Sequence, residues 1–370
     1  MTNLTKQLTF LLLFTFCTTS LFSQEVYPGD VNNNGIANVV DLLYLGVAYG
    51  NTGPERDDEG TNWEAYTVDP WGQSFPNGLN YAFADCDGDG EIGDDDIEDA
   101  IVDNFGMQHG TIISDSYNND GEPFNTPILK LVPNVLFANE GTTVTFDVVL
   151  GSEELPVNDF YGIAFTMSFD ADFTQDEDNT TFEFSNNTWL DPSDDGLVRS
   201  MAVFDNSGHG EIGISRINQE PISNGFGIIG TFSIIIEDDI ASTEIDTFSI
   251  FIDSIKMIGP SINTSPMFPR DTFVLITNDT ILSSSQIEKE QSVNVYPNPT
   301  NRDIHLESTL PFKEIAVYNS SGEKIHAQNF SNTRLSQKLS LKSNQISNGV
   351  YFLMLETDEG ILTEQFIFQQ

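Results

Sequence analysis

Twice in the first third of the chain, oxygen-bearing side chains fall at alternate places of a twelve-residue run that carries glycine at its sixth position. The first run is Asp30-Val-Asn32-Asn-Asn34-Gly35-Ile36-Ala-Asn38-Val-Val-Asp41. The second is Asp85-Cys-Asp87-Gly-Asp89-Gly90-Glu91-Ile-Gly93-Asp-Asp-Asp96. Hard cations take six to eight oxygens, and a short loop aims alternate side chains at one point only if it turns sharply, which glycine permits. Position 7 then offers its backbone carbonyl, here from Ile36 and Glu91. Position 9 is Asn38 in the first run; Gly93 leaves it to a water in the second. Position 12 closes the shell, with Asp41 and Asp96 standing where a longer Glu is usual. This spacing predicts two calcium loops. The competing reading, a pair of solvated acidic turns, has to explain two matches on one chain.

Each run leads into an apolar helical face. Ile97, Ala100, Ile101 and Phe105 recur at helical spacing after the second, and Leu42, Leu45 and Tyr49, with Leu43 and Val47, after the first. With its leading Gly29 and trailing Leu42-Leu43, the first run resembles the dockerin repeat of cellulosomal proteins, a half EF-hand that occurs in pairs with Asp at position 12. That resemblance implies metal-ligand roles for Asp30, Asn32, Asn34, Asp41, Asp85, Asp87, Asp89 and Asp96. Two departures stand out. The segment Asn51–Ala84 separates the repeats more widely than in dockerins. The positions that would read a partner are Val39-Val40 and Asp94-Asp95, unlike each other and unlike the usual small hydroxyl pairs. Calcium binding therefore carries over better than docking onto a cohesin. The inserted aromatics Trp63, Tyr66, Trp71, Phe75, Tyr81 and Phe83 are expected to form a mini-core, with sugar stacking as the rival role.

The chain holds 57 acidic against 14 basic residues in 370, a net charge of -43. Phosphate binding needs clustered Lys and Arg, so nucleic acid and anionic membrane surfaces are excluded as partners. Four scattered histidines argue against a zinc enzyme. Residues 1–24, with Lys6 and the apolar run Phe10–Phe16, read as a secretory signal too short to span a bilayer, and no later segment reads as a transmembrane helix. Cys17 would leave with the signal, so Cys86 has no disulfide partner. Folding then rests on cores and bound metal. Residues 24–115 carry 20 acids and a single base, Arg56, whereas residues 293–370 are nearly balanced, with 8 acids and 6 bases.

The middle of the chain reads as about nine strands: Leu129–Leu131, Thr142–Leu150, Tyr161–Phe169, Thr181–Phe184, Leu197–Phe204, Gly210–Ile217, Phe226–Ile236, Thr247–Ile258 and Thr272–Ile276. That is a β-sandwich load. Tyr161–Asp170 and Gly225–Ile235 resemble strands of cohesin-like sandwiches. Acidic clusters at Asp170, Asp172, Asp176, Glu177 and Asp178 and at Asp191, Asp194 and Asp195 are expected to be solvated loops. Their rival role is a glycosidase carboxylate pair. Arg216 is expected to pair with a carboxylate. No nucleophile elbow or phosphate loop is present.

The C-terminal piece reads as seven short strands: Asn294–Tyr296, Ile304–Glu307, Glu314–Tyr318, Lys324–Ala327, Leu335–Leu341, Val350–Leu355 and Ile361–Phe368. Val295-Tyr-Pro-Asn-Pro-Thr300, Ile315–Ile325 and Ile346–Leu353 resemble the sorting domain of the type IX secretion system of Bacteroidetes. That resemblance implies export by the type IX machinery, usually followed by removal of the tag.

The expected fold class is mainly β and multidomain: a small α-helical dockerin-like calcium module, a cohesin-like β-sandwich and a small immunoglobulin-like C-terminal β-sandwich. The expected divisions are signal 1–24, calcium module 25–113, linker 114–127, sandwich 128–279, linker 280–292 and sorting domain 293–370. The expected function is a secreted or outer-membrane-surface, non-enzymatic calcium protein for adhesion or assembly in a polysaccharide-degradation context. Its expected partner is a cohesin-like protein or a polysaccharide. The rival function is a glycoside hydrolase.

Overall fold

A computed structural model describes residues 24–122, 125–174, 180–185, 188–237, 246–277, 293–319, 324–341, 346–357 and 360–369. Residues 1–23 of the proposed signal, all of the second linker 280–292, and Asp176, Glu177 and Asp178 lie outside the described residues.

The N-terminal module begins with β1 (Gln24–Val26). Helix α1 (Val39–Ala48) follows, and β2 (Tyr66–Val68) pairs antiparallel with β1. Asn38 caps α1: its Oδ1 accepts from Val40 N–H at 2.8 Å, while Asp41 accepts from Asn38 N–H at 2.8 Å. This reciprocal cap fixes where the first loop ends and the helix begins. Every residue of α1 except Tyr44 is buried. A short helix that is apolar all round must be covered on all sides. One side meets Val31, Ala82, Phe83, Ile97, Ala100 and Ile101 of its own module; the other meets the sandwich. The counterpart after the second loop is a seven-residue π-helical stretch, Asp96–Val102, with Ile97, Ala100 and Ile101 buried as their spacing predicts.

Among the described residues the sandwich comprises twelve strands: β3 (Ile128–Pro133), β4 (Phe137–Asn139), β5 (Thr143–Leu150), β6 (Gly162–Phe169), β7 (Thr180–Phe184), β8 (Val198–Phe204), β9 (His209–Arg216), β10 (Gly227–Ile235), β11 (Asp246–Ile258), β12 (Thr264–Ser265), β13 (Phe268–Arg270) and β14 (Thr272–Thr277). One sheet runs β13-β3-β5-β10-β7. The other runs β4-β14-β11-β6-β9-β8, with β12 on β11. Strict alternation in β5 sends Val144, Phe146, Val148 and Leu150 into the core between the sheets, where Phe232, Phe165 and Phe248 also lie. Strand β6 breaks that alternation and is buried along nearly its whole length. Ile163, Phe165 and Met167 face the sandwich core, while Ala164 joins the core shared with α1. A strand covered on both faces reads as a continuous apolar run, as Tyr161–Phe169 does.

The C-terminal body holds β15 (Val293–Tyr296), β16 (Asp303–Asn319), β17 (Lys324–Ser340), β18 (Gly349–Thr357) and β19 (Gly360–Phe368). Among the described residues the seven short strands expected there are corrected to five, in the order β15-β16-β18-β19 with β17 on β16. Two expected pairs are single 17-residue strands. Register shifts between Glu307 and Glu314 mark the place where β16 bends without ending. Residues on both sides of that bend, Ile304 and Leu306 as well as Ile315 and Val317, share one core. Phe273 and Leu275 of the sandwich pack with Ala316, Tyr318 and Met354, so this body is seated against the sandwich. Among the described residues no helix is long and apolar enough to cross a membrane.

Candidate metal centres

The two loops share one hydrogen-bond frame. In the first, Asp30 accepts from Asn34 N–H and Gly35 N–H, both at 2.9 Å, and Asn32 Oδ1 accepts from Asn34 N–H at 3.0 Å. Asn34 Oδ1 accepts from Ile36 N–H at 3.1 Å, and Asp41 accepts from Asn32 N–H at 3.0 Å as well as from Asn38 N–H. The second repeats this. Asp85 accepts from Gly90 N–H at 3.3 Å, Asp87 from Asp89 N–H at 3.0 Å and Asp89 from Glu91 N–H at 2.8 Å. Asp96 accepts from Cys86 and Gly93 N–H. Backbone donors thus hold the oxygens of positions 1, 3, 5 and 12 in place before any ion arrives. Gly35 and Gly90 take φ of +97° and +86°, the left-handed turn that side chains resist.

The loops are bolted to one another's exits. Ile36 bridges Gln108 beyond the π-helical stretch, and Glu91 bridges Thr52 beyond α1. Each position 7 therefore lies on a short antiparallel contact, Ile36 half-buried and Glu91 exposed. Cys86 is buried, consistent with a position that points away from the loop centre.

The position-1 and position-12 carboxylates are almost wholly withdrawn from water: Asp30 is 1%, Asp41 0%, Asp85 2% and Asp96 1% exposed. Carboxylate oxygens of Asp85, Asp87 and Asp89 lie within 4.8 Å of one another. Burial pushes the Asp85 carboxyl up to about 7 and drives those of Asp41 and Asp96 well above the usual range. Arg56, the guanidinium beside Asp85, donates to the carbonyls of Asp85, Cys86 and Gly60 and, among the described residues, to no carboxylate. Buried carboxylates crowded together, and paired directly with no Lys or Arg among the described residues, are the donor set a divalent cation fits. Asp30, Asn32, Asn34, the Ile36 carbonyl and Asp41 would hold one ion. Asp85, Asp87, Asp89, the Glu91 carbonyl and Asp96 would hold the other.

Two contributors escape sequence reasoning. Asp115, at the start of the expected linker 114–127, receives the side-chain amides of Asn32, Asn34 and Asn38 at 3.0, 2.7 and 2.8 Å. Its backbone carbonyl accepts from Lys256 Nζ of β11. The segment then runs along the sandwich, with Asn118 N–H donating to Ile255 O at 2.7 Å and Gly121 N–H to Met267 O at 3.0 Å. His109 Nε2 lies 2.7 Å from Asp30 Oδ2 and its ring stacks on Tyr27. Neither residue belongs to a periodic pattern, and each meets the loop from far along the chain.

Helix α1 lies against the outer face of β6, β9 and β8. Close approach depends on missing side chains: a Cβ on Gly46 would stand 2.1 Å from Ser215 Oγ, and one on Gly213 2.9 Å from Val39 O. Tyr161 Oη donates to Gly46 O at 2.9 Å across the join. Beside the helix, Arg199 of β8 grips Asp94 through two hydrogen bonds, of 2.6 and 3.0 Å, and Tyr49 Oη donates to the same carboxylate at 2.8 Å. Val39 and Asp94, the first of each pair of positions expected to read a partner, thus both face this chain's own sandwich.

Of the insert's six aromatics, Tyr66, Trp71, Phe75 and Phe83 are buried in the module's core and Tyr81 packs against it, whereas Trp63 stays half-buried beside Tyr27 and His109. Asp191 holds a turn by accepting from Asp195 and Leu197 N–H, and Asp170 caps a short 3-10 turn. Arg216 is a correction. Its guanidinium donates to the carbonyls of Glu220 and Leu190, not to a carboxylate.

Residues 294–369 match the family model described as the secretion system C-terminal sorting domain. The C-terminal body is therefore a sorting domain, and the chain is one exported to the cell surface or beyond. Solved structures similar to the chain include a type I cohesin–dockerin complex from Clostridium thermocellum (13% identity, 43% of this chain and 98% of that chain, TM-score 0.34). They also include a type II cohesin domain from the cellulosome of Acetivibrio cellulolyticus (14%, 41% and 95%, TM-score 0.32) and a type II cohesin dyad of an adaptor scaffoldin from that organism (13%, 65% and 77%, TM-score 0.33). No curated protein matches the chain.

Proposed function

We propose that the protein is a non-enzymatic, calcium-stabilised adhesion or assembly protein. It is exported by the type IX secretion machinery and works in a polysaccharide-degradation setting, its dockerin-like module clamped on its own cohesin-like sandwich. The observation that carries this reading is the repeated cage: two loops with one hydrogen-bond frame and four nearly inaccessible carboxylates at their closing positions. Calcium supplies the countercharge that makes such burial favourable, so ion binding and folding are coupled. Extracellular modules of this kind bind with dissociation constants on the order of 10⁻⁴–10⁻³ M.

Calorimetric titration of calcium into chelator-stripped full-length protein tests it. Two sites are expected, and Asp30→Ala combined with Asp85→Ala should abolish the heat. A flat titration of the unaltered chain contradicts the reading.

A further inference from the structure

The two loops share a frame but not a donor set. At positions 1, 3, 5 and 12 the second offers four carboxylates, Asp85, Asp87, Asp89 and Asp96. The first offers two, Asp30 and Asp41, with Asn32 and Asn34 between them and Asn38 at position 9. A carboxylate shows an oxygen to an ion whichever way it turns. A carboxamide does not: turned about, it shows an NH2 group, which has no lone pair to give and repels a cation. Three amides at one site therefore need something to fix which end faces the ion.

Asp115, half-buried and outside the twelve-residue run, is placed to do so. Its Oδ1 accepts from Asn32 Nδ2 at 3.0 Å and Asn34 Nδ2 at 2.7 Å, and its Oδ2 from Asn38 Nδ2 at 2.8 Å. With the three nitrogen ends gathered on one carboxylate, the three Oδ1 atoms turn back to the loop. There they accept from the N–H groups of Asn34, Ile36 and Val40 at 3.0, 3.1 and 2.8 Å. Each keeps a second lone pair for an ion. The Asn34 N–H is shared by Asn32 Oδ1 and Asp30 Oδ1, which brings an amide oxygen and a carboxylate oxygen together. Asp115 also adds a third negative charge to a site that has two of its own.

Asp115 is itself held by the sandwich. Its carbonyl accepts from Nζ of the buried Lys256 on β11. Just beyond it, Asn118 N–H donates to Ile255 O at 2.7 Å and Asn119 Nδ2 to Asp253 O at 3.0 Å. We propose that Asp115 is a positioning residue for the first ion, and that this ion is the latch between module and sandwich. The second site is complete within the module, whereas the first is complete only with this segment laid on the sandwich. The docked segment strengthens the first site, and by linkage the filled site strengthens the docking. This role presupposes the calcium sites proposed above.

The test is calcium calorimetry on the full-length protein in two single-site backgrounds. Asp85→Ala leaves the first site and Asp30→Ala leaves the second. Adding Asp115→Ala should weaken the first site by roughly ten- to a hundredfold and leave the second unmoved. A merely structural role would not split the sites this way, because both loops share one core. Asp115→Asn keeps the shape of the side chain but sets an NH2 group against the amides, and should weaken the first site alone while preserving the parent's melting profile in saturating calcium. Terbium luminescence lifetimes in H2O and D2O give a second readout. In the Asp85→Ala background the bound terbium should gain at least one water when Asp115 is replaced, as amide oxygens leave it. A parent chain that takes up no calcium overturns the calcium reading and this role with it. A parent with two sites, in which the Asp115→Asn substitution moves neither site or both alike, overturns this role alone.

Discussion

Asp85 carries a carboxyl pushed up to about 7 by burial, against about 3.9 in an unfolded chain. Without metal, the folded state holds a proton that the unfolded state has released across that window. Stability therefore falls as pH rises from about 4 to about 7. Asp41 and Asp96 act in the same direction. A bound divalent cation favours the ionised carboxylates and so reverses the slope. In chelator the first unfolding transition should come at a lower temperature at pH 7.5 than at pH 5; in millimolar calcium that order should invert. Melting scans under the four conditions decide it, and an order indifferent to calcium contradicts the role of these acids. Asp94 behaves oppositely: the Arg199 guanidinium holds its carboxyl below the usual range. The pair is partly exposed, so its worth is small, about 0.2–1 kcal/mol. Arg199→Glu should destabilise by that order, and adding Asp94→Arg should recover much of the loss. A double-mutant cycle with no coupling would mean that the contact is idle.

Helix α1 stays on the sheet because glycine faces it from one side and presents itself from the other. Gly46→Ala places a methyl 2.1 Å from Ser215 Oγ and 2.6 Å from the Arg216 carbonyl. The helix must then lift or the sheet give way. The expected loss is about 1–3 kcal/mol, read by denaturant unfolding, together with faster proteolysis within Val39–Ala48. An unchanged midpoint would show that the join has slack. Leu43 meets Gly162 at the same face. Leu43→Ala should cost about 2–5 kcal/mol.

These elements differ in how far their sequences announce them. The ends of β5, β6 and β11 fall within a residue or so of the expected positions, because β-branched and aromatic runs stop at Gly, Asn or Asp. Strands β4, β12 and β13 have only three, two and three residues, and β13 contains Pro269, so they carry no period to detect. The long strands β16 and β17 looked broken because their bends resemble ends. The loop oxygens were legible because their spacing is local. Asp115, His109 and Arg199 were not, since each reaches its partner only after the chain has folded.

At the scale of the whole molecule, a strongly acidic chain has been divided into three cores with two joins between them. The module is fixed to the sandwich by α1, by the Asp94–Arg199 pair and by the strap from Asp115 to Lys256. The sorting domain is fixed by the patch around Phe273, whose ring meets Phe352 at 5.4 Å. Both loops share the module's core with α1, so the ions would brace the join as well as the loops. Releasing them should loosen Val39–Ala48 and the β6–β9–β8 face it covers, while leaving the core between the sheets intact. Hydrogen exchange on the full-length protein, with calcium and with chelator, reads this directly. Amides of α1 and of β9 should lose protection together when calcium is withdrawn, while those of β5 and β10 keep theirs. Equal protection of α1 in both conditions would contradict the claim that calcium holds the module in place.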